Sequence, residues 1–441
     1  MPTASKKVIN GWAMYDWANS VYNLVITTTF FPIYFLGVTK SRFGEDHVPL
    51  LGRQYKNSEL YDYAVAFAYL LIAILLPILS SIADSKGNKK RFMQFFCYLG
   101  GLSCIGLYWF NGPNVAWGIL CFVLAAIGYI GSLVFYNSYL PEIAAPEDQD
   151  RVSAKGFSMG YIGSVILQLL GFGLVLYFES MGDKSGTGAR YTFLLVGFWW
   201  MGFAQITFTR LPRSQPASQR SDVNFLTKGF IELRKVYSQL SHTPVLKRYL
   251  FAFFFYSMGV QTVMLAASIF GAKLLQLPDS KLIITLVLVQ LVAIAGAILM
   301  SRLSSRFGNL KVLMAVVAFW ILICIAAYFV ASAAEVGINV EYYFYAIAVA
   351  VGLVMGGIQS LSRSTYSKLM PETKDTASFF SFYDVTEKIA IVIGMFTFGY
   401  IDKLIGMKYS VLALIVFFLV GLIGLRLSLQ KEKQHELAKA A

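Results

Sequence analysis

The chain has only three histidines and four cysteines in 441 residues. His47, His242 and His435 all fall in loops or in the tail, so no histidine-based metal or catalytic centre is expected. Cys97, Cys104, Cys121 and Cys324 lie inside apolar runs and form no CxxC pair. They read as small buried apolar side chains, not as a disulfide framework. Charged residues make up only 14% of the chain, and no polar block is long enough to fold as a water-soluble domain. There is no GxxxxGK[ST] phosphate loop, which argues against direct drive by ATP. No convergent nucleophile is visible either, so the reading is a non-enzyme without cofactor or metal.

Apolar residues fill the space that these absences leave. They account for 57% of the sequence, and the mean hydropathy is +0.61. A helix needs about 20 apolar residues to cross a bilayer. Runs of that length recur at 10–38, 60–82, 92–110, 115–140, 156–178, 191–210, 248–275, 281–301, 311–333, 342–367, 378–401 and 409–428. The fold class expected is therefore an all-α integral membrane protein of twelve transmembrane helices. The first run follows Lys6 and Lys7, is too long for a signal-peptide core, and has no small-residue cleavage site after it. It reads as an uncleaved span.

The net charge of +13 has a plain source. The basic residues sit in short loops between apolar runs, as the positive-inside rule requires, and not in a nucleic-acid patch. An even number of spans puts both termini on one side, and the surplus of Lys and Arg on that side assigns it to the cytoplasm. The membrane would be the plasma (inner) membrane of a prokaryote or the vacuolar membrane of a fungus. The expected partners are the lipid bilayer, a small-molecule solute and protons, with no nucleic acid, and the chain is expected to be a monomer.

The chain also repeats itself. Ser80–Lys90 reads SSIADSKGNKK and Ser301–Lys311 reads SRLSSRFGNLK; both follow the second span of their half. Tyr136–Glu142 (YNSYLPE) and Tyr366–Glu372 (YSKLMPE) both close a fourth span. Two like-oriented six-helix bundles follow, with a cavity expected where they meet. The boundaries are 1–211 for the first bundle, 212–247 for a cytoplasmic linker, and 248–441 for the second bundle and short tail. Within the linker Val223, Leu226, Phe230, Leu233, Tyr237 and Leu240 make an apolar stripe, with Lys228, Arg234 and Lys235 off it. This predicts an amphipathic helix at the inner membrane surface.

Polar groups interrupt the apolar runs at few places. Trp12–Asn23 reads WAMYDWANSVYN, and on a regular helix Asp16, Asn19, Ser20, Asn23 and Thr27 share one face. A charge at mid-bilayer costs roughly 2.5–3.5 kcal/mol, so such a face is expected to meet protein or a watery cavity.

Three segments carry a family resemblance: Tyr15-Asp16-Trp17-Ala18-Asn19-Ser20, the GVQT of Gly259–Thr262, and the stretch from Ser362-Arg363-Ser364 through Met370-Pro371-Glu372 to Tyr383. With the Asp84-x-x-Gly87-Asn88-Lys89-Lys90 loop and the two-bundle layout, the whole chain resembles the major facilitator superfamily. Within it the chain is similar to the vacuole-effluxer, or "unknown major facilitator", family. The resemblance implies a secondary transporter, with fungal members linked to export of amino acids from the vacuole. The chain departs from that pattern at Met258, where many relatives carry an acidic residue, and at Ser80 and Ser305 in the two loop copies.

The candidate proton-coupling groups are Asp16 and Glu387. Asp384 and Lys388, spaced i, i+4, are expected to pair on one face of the eleventh span. That leaves Glu387 without a local mate and Arg363 as a distant one. Asn19, Asn23, Tyr136, Asn137, Gln261, Gln359, Arg363 and Tyr383 supply donors and acceptors suited to a small polar or zwitterionic solute. They stand on spans 1, 4, 7, 10 and 11, which in the superfamily face the centre. Asp84, Gly87, Lys89, Lys90 and Arg91 read as a conformational latch. Gly352-x-x-x-Gly356 and Gly160-x-x-x-Ser164 suit close helix packing. The expected function is secondary active transport, proton-coupled, of a small polar solute, with an amino acid foremost. A permease for sugars, peptides or cell-wall fragments is the rival within transport; a non-transporting membrane receptor is the rival outside it.

Overall fold

The computed structural model describes residues 2–44, 47–50, 52–183, 185–213, 231, 234–239, 242–271, 275 and 279–440. Twelve long helices stand at the twelve apolar runs. They are α1 (Lys6–Phe43), α2 (Asn57–Lys86), α3 (Lys89–Gly106), α4 (Val115–Asn137), α5 (Gln149–Ser180) and α6 (Thr187–Arg210). The second half supplies α7 (Pro244–Ile269), α8 (Asp279–Phe307), α9 (Asn309–Glu335), α10 (Glu341–Leu369), α11 (Thr376–Ile405) and α12 (Met407–Ala440). One hairpin was not expected: β1 (His47–Leu50) pairs antiparallel with β2 (Arg53–Lys56) in the loop after α1.

Among the described residues, eleven helices are both long and apolar enough to span a membrane. The twelfth, α11, has the length but carries Asp384, Glu387, Lys388, Asp402 and Lys403. Its charges, not its geometry, set it apart. Several helices outrun the apolar runs that predicted them. α5 starts at Gln149, about two turns before the expected 156, because hydrogen bonding continues through polar sequence once a helix is nucleated.

The chain divides into two compact units. The first comprises Ala4–Tyr139 and Met159–Gly229. In it α3 packs on α4 and α6, α1 on α6, and α2 on α4. The second comprises Phe230–Ala441 together with Met1–Thr3 and Leu140–Ser158. In it α9 packs on α10 and α12, α7 on α12, and α8 on α10. Each of these four contacts in one unit recurs in the other six helices on, so the sequence repeat is in these helices a repeat of packing.

Small residues set these approaches. A Cβ on Gly356 would sit 2.0 Å from the carbonyl oxygen of Ala293, and one on Gly352 would sit 2.7 Å from that of Val289. Only glycine lets α10 lie so near α8, as the spacing predicted. The two copied loops share a backbone feature as well: Gly87 (φ 63) and Gly308 (φ 87) both follow a helix with positive φ, which favours glycine. Trp12, Trp200 and Trp320 are fully buried, while Ile74, Leu102, Phe329 and Phe396 are exposed. So many large apolar side chains left exposed suit lipid rather than water.

Of the linker stripe, Val223, Leu226, Phe230, Leu233 and Leu240 lie outside the described residues. Tyr237 is exposed, its neighbour Val236 is buried, and Lys235 pairs with Asp375 at 2.5 Å.

Candidate functional site

In the first unit the polar stretch of α1 does not form one continuous face. Tyr22–Phe30 winds as a π-helix, so the angular step per residue changes at Tyr22. Asn23 and Thr27 therefore leave the row that Asp16 and Asn19 begin. The Thr29 hydroxyl donates to the Leu24 carbonyl five residues back, in keeping with that wider winding. Such segments are frequent at functional sites.

Asp16 is buried, and its Oδ2 accepts a hydrogen bond from Tyr136 Oη at 2.7 Å. Trp12 fixes that tyrosine in turn. Its indole nitrogen donates to the Tyr136 carbonyl at 3.0 Å and its ring stacks on the phenol at 4.4 Å. Asn19, one turn on, is fully buried, and neither atom of its amide has a hydrogen-bond partner among the described residues. An unpaired buried amide is costly, roughly 1–3 kcal/mol, and calls for an explanation. Asn23 is half-buried and Asn137 buried. A Cβ on Gly160 would lie 2.4 Å from Ser20 Oγ, so α5 closes on α1 beside Asp16.

The loop between α2 and α3 is held inside the same unit. Asp84 and Lys89 are buried and 3.1 Å apart. Lys90 donates to the carbonyls of Phe208 and Leu211 at the end of α6. Gly87 supplies the left-handed turn and Arg91 is exposed.

The second unit gathers the charges of α11. Lys388 donates to Glu387 Oε2 at 2.5 Å, and Gln261 of α7 donates to Glu387 Oε1 at 3.0 Å. Glu387, expected to lack a local mate, therefore has two. Lys388 bonds to its sequence neighbour, a reach that a flexible ammonium on a four-carbon stem allows. Asp384 is buried, and its Oδ2 has no hydrogen-bond partner among the described residues. Arg363 donates to Ser153 Oγ at 3.0 Å and to the Ser153 carbonyl at 2.9 Å, with its guanidinium 4.3 Å from the Phe157 ring centroid. Tyr383 stacks on Phe253 at 4.3 Å, and Gln359 donates to the Met264 sulfur at 3.3 Å.

A second internal equivalence emerges here. A Cβ on Gly394 of α11 would meet Thr262 Oγ1 at 2.4 Å and the Met258 carbonyl at 3.0 Å. The Gly160 contact with Ser20 Oγ and with the Asp16 carbonyl, at 3.2 Å, has the same form. Met258 thus occupies in α7 the place that Asp16 occupies in α1. The second unit takes its carboxylates from α11 instead.

The sequence matches the family described as "Vacuole effluxer Atg22 like" over residues 4–438. The chain belongs to that family. The Atg22-like chain is 29% identical over 421 residues to the MFS-type transporter YxiO of Bacillus subtilis (strain 168), with 94% of this chain and 93% of that protein covered. It is 25% identical to Autophagy-related protein 22 of Kluyveromyces lactis, with 96% and 93% covered. Among solved structures it resembles the human organic anion transporter MFSD10 (TM-score 0.70, 13% identity, 95% of this chain and 98% of that one). It also resembles the fucose transporter FucP in its outward conformation (TM-score 0.61, 16% identity, 96% and 98% covered). The fold is that of the major facilitator superfamily, twelve helices in two bundles, and the Atg22-like chain is a multi-pass membrane protein of the MFS transporter type.

Two clusters escaped the sequence reading. Tyr249 and Tyr256 of α7 join hydroxyls at 3.2 Å and both bond to Ser362 of α10, the former to its carbonyl at 2.8 Å and the latter to its Oγ at 2.7 Å. Their seven-residue spacing was a usable signal. Asp150 accepts from Ser304, Asn309 and Lys368, each at 2.7 Å. Nothing in the local sequence of Asp150 foretold those partners.

Proposed function

We propose that this Atg22-like chain is a proton-coupled secondary transporter of a small polar organic solute, an amino acid foremost, working by alternating access. The carrying observation is on α11, where a spanning helix retains three ionisable groups within two turns: Asp384, Glu387 and Lys388. Each charge costs several kcal/mol inside a bilayer unless paired or put to use. Pairing answers for Glu387 and Lys388, while the unpartnered Oδ2 of Asp384 supports a role for this cluster in taking up a proton. Asp16, held by Tyr136, is the matching candidate in the first unit.

Each unit also carries amides and hydroxyls for a zwitterionic solute. Asn19, Asn23, Tyr136 and Asn137 serve in the first, and Gln261, Gln359, Arg363 and Tyr383 in the second. The inner loop of the first unit acts as a latch through Asp84 and Lys89, with Gly87, Lys90 and Arg91 shaping the turn. Both termini lie in the cytoplasm, by the bias of basic residues, and the working unit is a monomer.

The test is solute uptake by proteoliposomes under an imposed pH gradient. Asp16→Asn, Glu387→Gln and Asp384→Asn are each expected to lower gradient-driven uptake at least tenfold while leaving solute counterflow in place. Wild-type pH dependence in all three variants would overturn the coupling.

A further inference from the structure

The second unit holds a cavity of about 320 Å³ at the ends of α8, α9, α10 and α12, apart from every group assigned above to solute or proton. It is at the small end of the range for ligand sites. Three lysines line it, one from each of three helices: Lys311 of α9, Lys368 of α10 and Lys433 of α12. Among the described residues the acidic lining residue is Glu432, so positive charge is in surplus there. Lys311 and Lys433 make no ion pair among the described residues. Lys368 is committed to Asp150 at 2.7 Å.

The remaining polar lining side chains are Asn309, whose Oδ1 already accepts from Lys368 at 3.0 Å, and Thr365. The Thr365 hydroxyl is buried at 2% exposure and accepts from Asn309 Nδ2 at 3.0 Å. Its own proton has no acceptor among the described residues. Gly308 caps α9 without a side chain to accept from the first turn, which leaves the amides of Asn309, Leu310 and Lys311 at the cavity. Lysines from three helices, a buried hydroxyl with a proton to give and a bare helix start all favour one kind of guest, an oxyanion with several acceptor oxygens. The apolar side chains of Phe307, Leu369 and Leu429 line the same space and would suit a ligand with carbon beside its anionic group.

We infer that this cavity binds a phosphate group, carried either by an anionic lipid of the adjoining leaflet or by a soluble phosphate. That the leaflet is the cytoplasmic one rests on the orientation proposed above; the binding does not. The ligand would meet Lys368 from the side opposite Asp150. It would share that lysine's charge and weaken the bond holding Asp150. Phosphate binding would thus be felt along Leu140–Ser158, the segment that Asp150 ties into this unit.

The experiment measures thermal unfolding of the purified full chain without any flux assay, so it stands or fails apart from the transport reading. One arm uses nanodiscs of phosphatidylcholine with and without phosphatidylglycerol. The other uses detergent-solubilised protein with inorganic pyrophosphate or matched chloride. At ten times its Kd a ligand is expected to raise the midpoint by about 1–2 °C. A shift with pyrophosphate identifies a soluble source; a shift confined to phosphatidylglycerol identifies the lipid. The Lys311→Gln/Lys433→Gln double variant, changed at exposed lysines only, is expected to lose the shift. Lys403→Gln, near the far end of α11, is expected to keep it. No shift in the wild type in either arm overturns the inference, and so does an undiminished shift in the double variant.

Discussion

Lys368 Nζ lies 2.7 Å from Asp150 Oδ2, although 218 positions separate them in the chain. Asp150 is nearly buried and also receives Ser304 Oγ and Asn309 Nδ2. One carboxylate thus gathers donors from α8, α9 and α10 and ties the start of α5 to them.

Removing that acceptor takes a charged partner from three donors and leaves Ser304 with the Ser301 carbonyl, Asn309 with the Thr365 hydroxyl and Lys368 with Asn309 Oδ1. Asp150→Ala is expected to cost about 1.5–3 kcal/mol, the range for hydrogen bonds to a charged group. Asp150→Asn keeps an acceptor oxygen and should cost less. Thermal unfolding in detergent checks the order, and an Asp150→Ala midpoint equal to that of the wild type would refute it.

The α8–α10 contact rests on missing side chains. Gly356→Val places atoms where the Ala293 carbonyl already stands, at 2.0 Å from the new Cβ. The helices must separate, at a cost of about 1–3 kcal/mol or more. Size-exclusion chromatography should show a smaller monodisperse fraction. Gly399→Val, where nothing lies within 4 Å of the added Cβ, is the control expected to behave as wild type. Equal behaviour of the two variants would refute the claim.

Asp183, in the turn between α5 and α6, offers a pH test. Ser185 Oγ donates to it at 2.6 Å, with the amides of Ser185 and Thr187 at 2.8 and 3.1 Å. These bonds, the Ser185 hydroxyl first, hold its carboxyl well below the usual range. A depressed folded-state pKa stabilises the fold above the unfolded value of about 3.9, and that contribution fades as pH falls through the folded value. The stability gap between wild type and Asp183→Asn should therefore be widest near neutrality and narrow below about pH 4. A gap constant from pH 7 to pH 3 would refute it.

How much of the site was legible varies by residue. Asp16, Glu387 and Arg363 stood out because a charge in an apolar run is rare, and that rarity is visible without a fold. Their partners were not visible. Arg363 was matched to Glu387 by elimination, yet it bonds to Ser153, a serine with no local feature to recommend it. Lys388 was matched to Asp384 by helical spacing, yet it donates to Glu387 next to it. A flexible ammonium on a long stem has more reach than the i, i+4 rule allows for. The face drawn through Asp16, Asn23 and Thr27 assumed a uniform helical step, and the π-helical turn at Tyr22 broke it.

What the sequence by itself determined is what depends on short stretches. Twelve helices follow from twelve apolar runs, since in a bilayer each backbone polar group must be satisfied within its own segment. The twofold repeat follows from matched loops, whose glycines both take positive φ. Tertiary structure alone decided which residue meets which. Asp150 joining Lys368, Met258 standing in the place of Asp16, and a cavity lined by lysines from three helices all depend on where distant helices come together. Those positions are set by packing at glycines such as Gly356 and Gly394, and contact across hundreds of residues leaves no periodicity in one sequence.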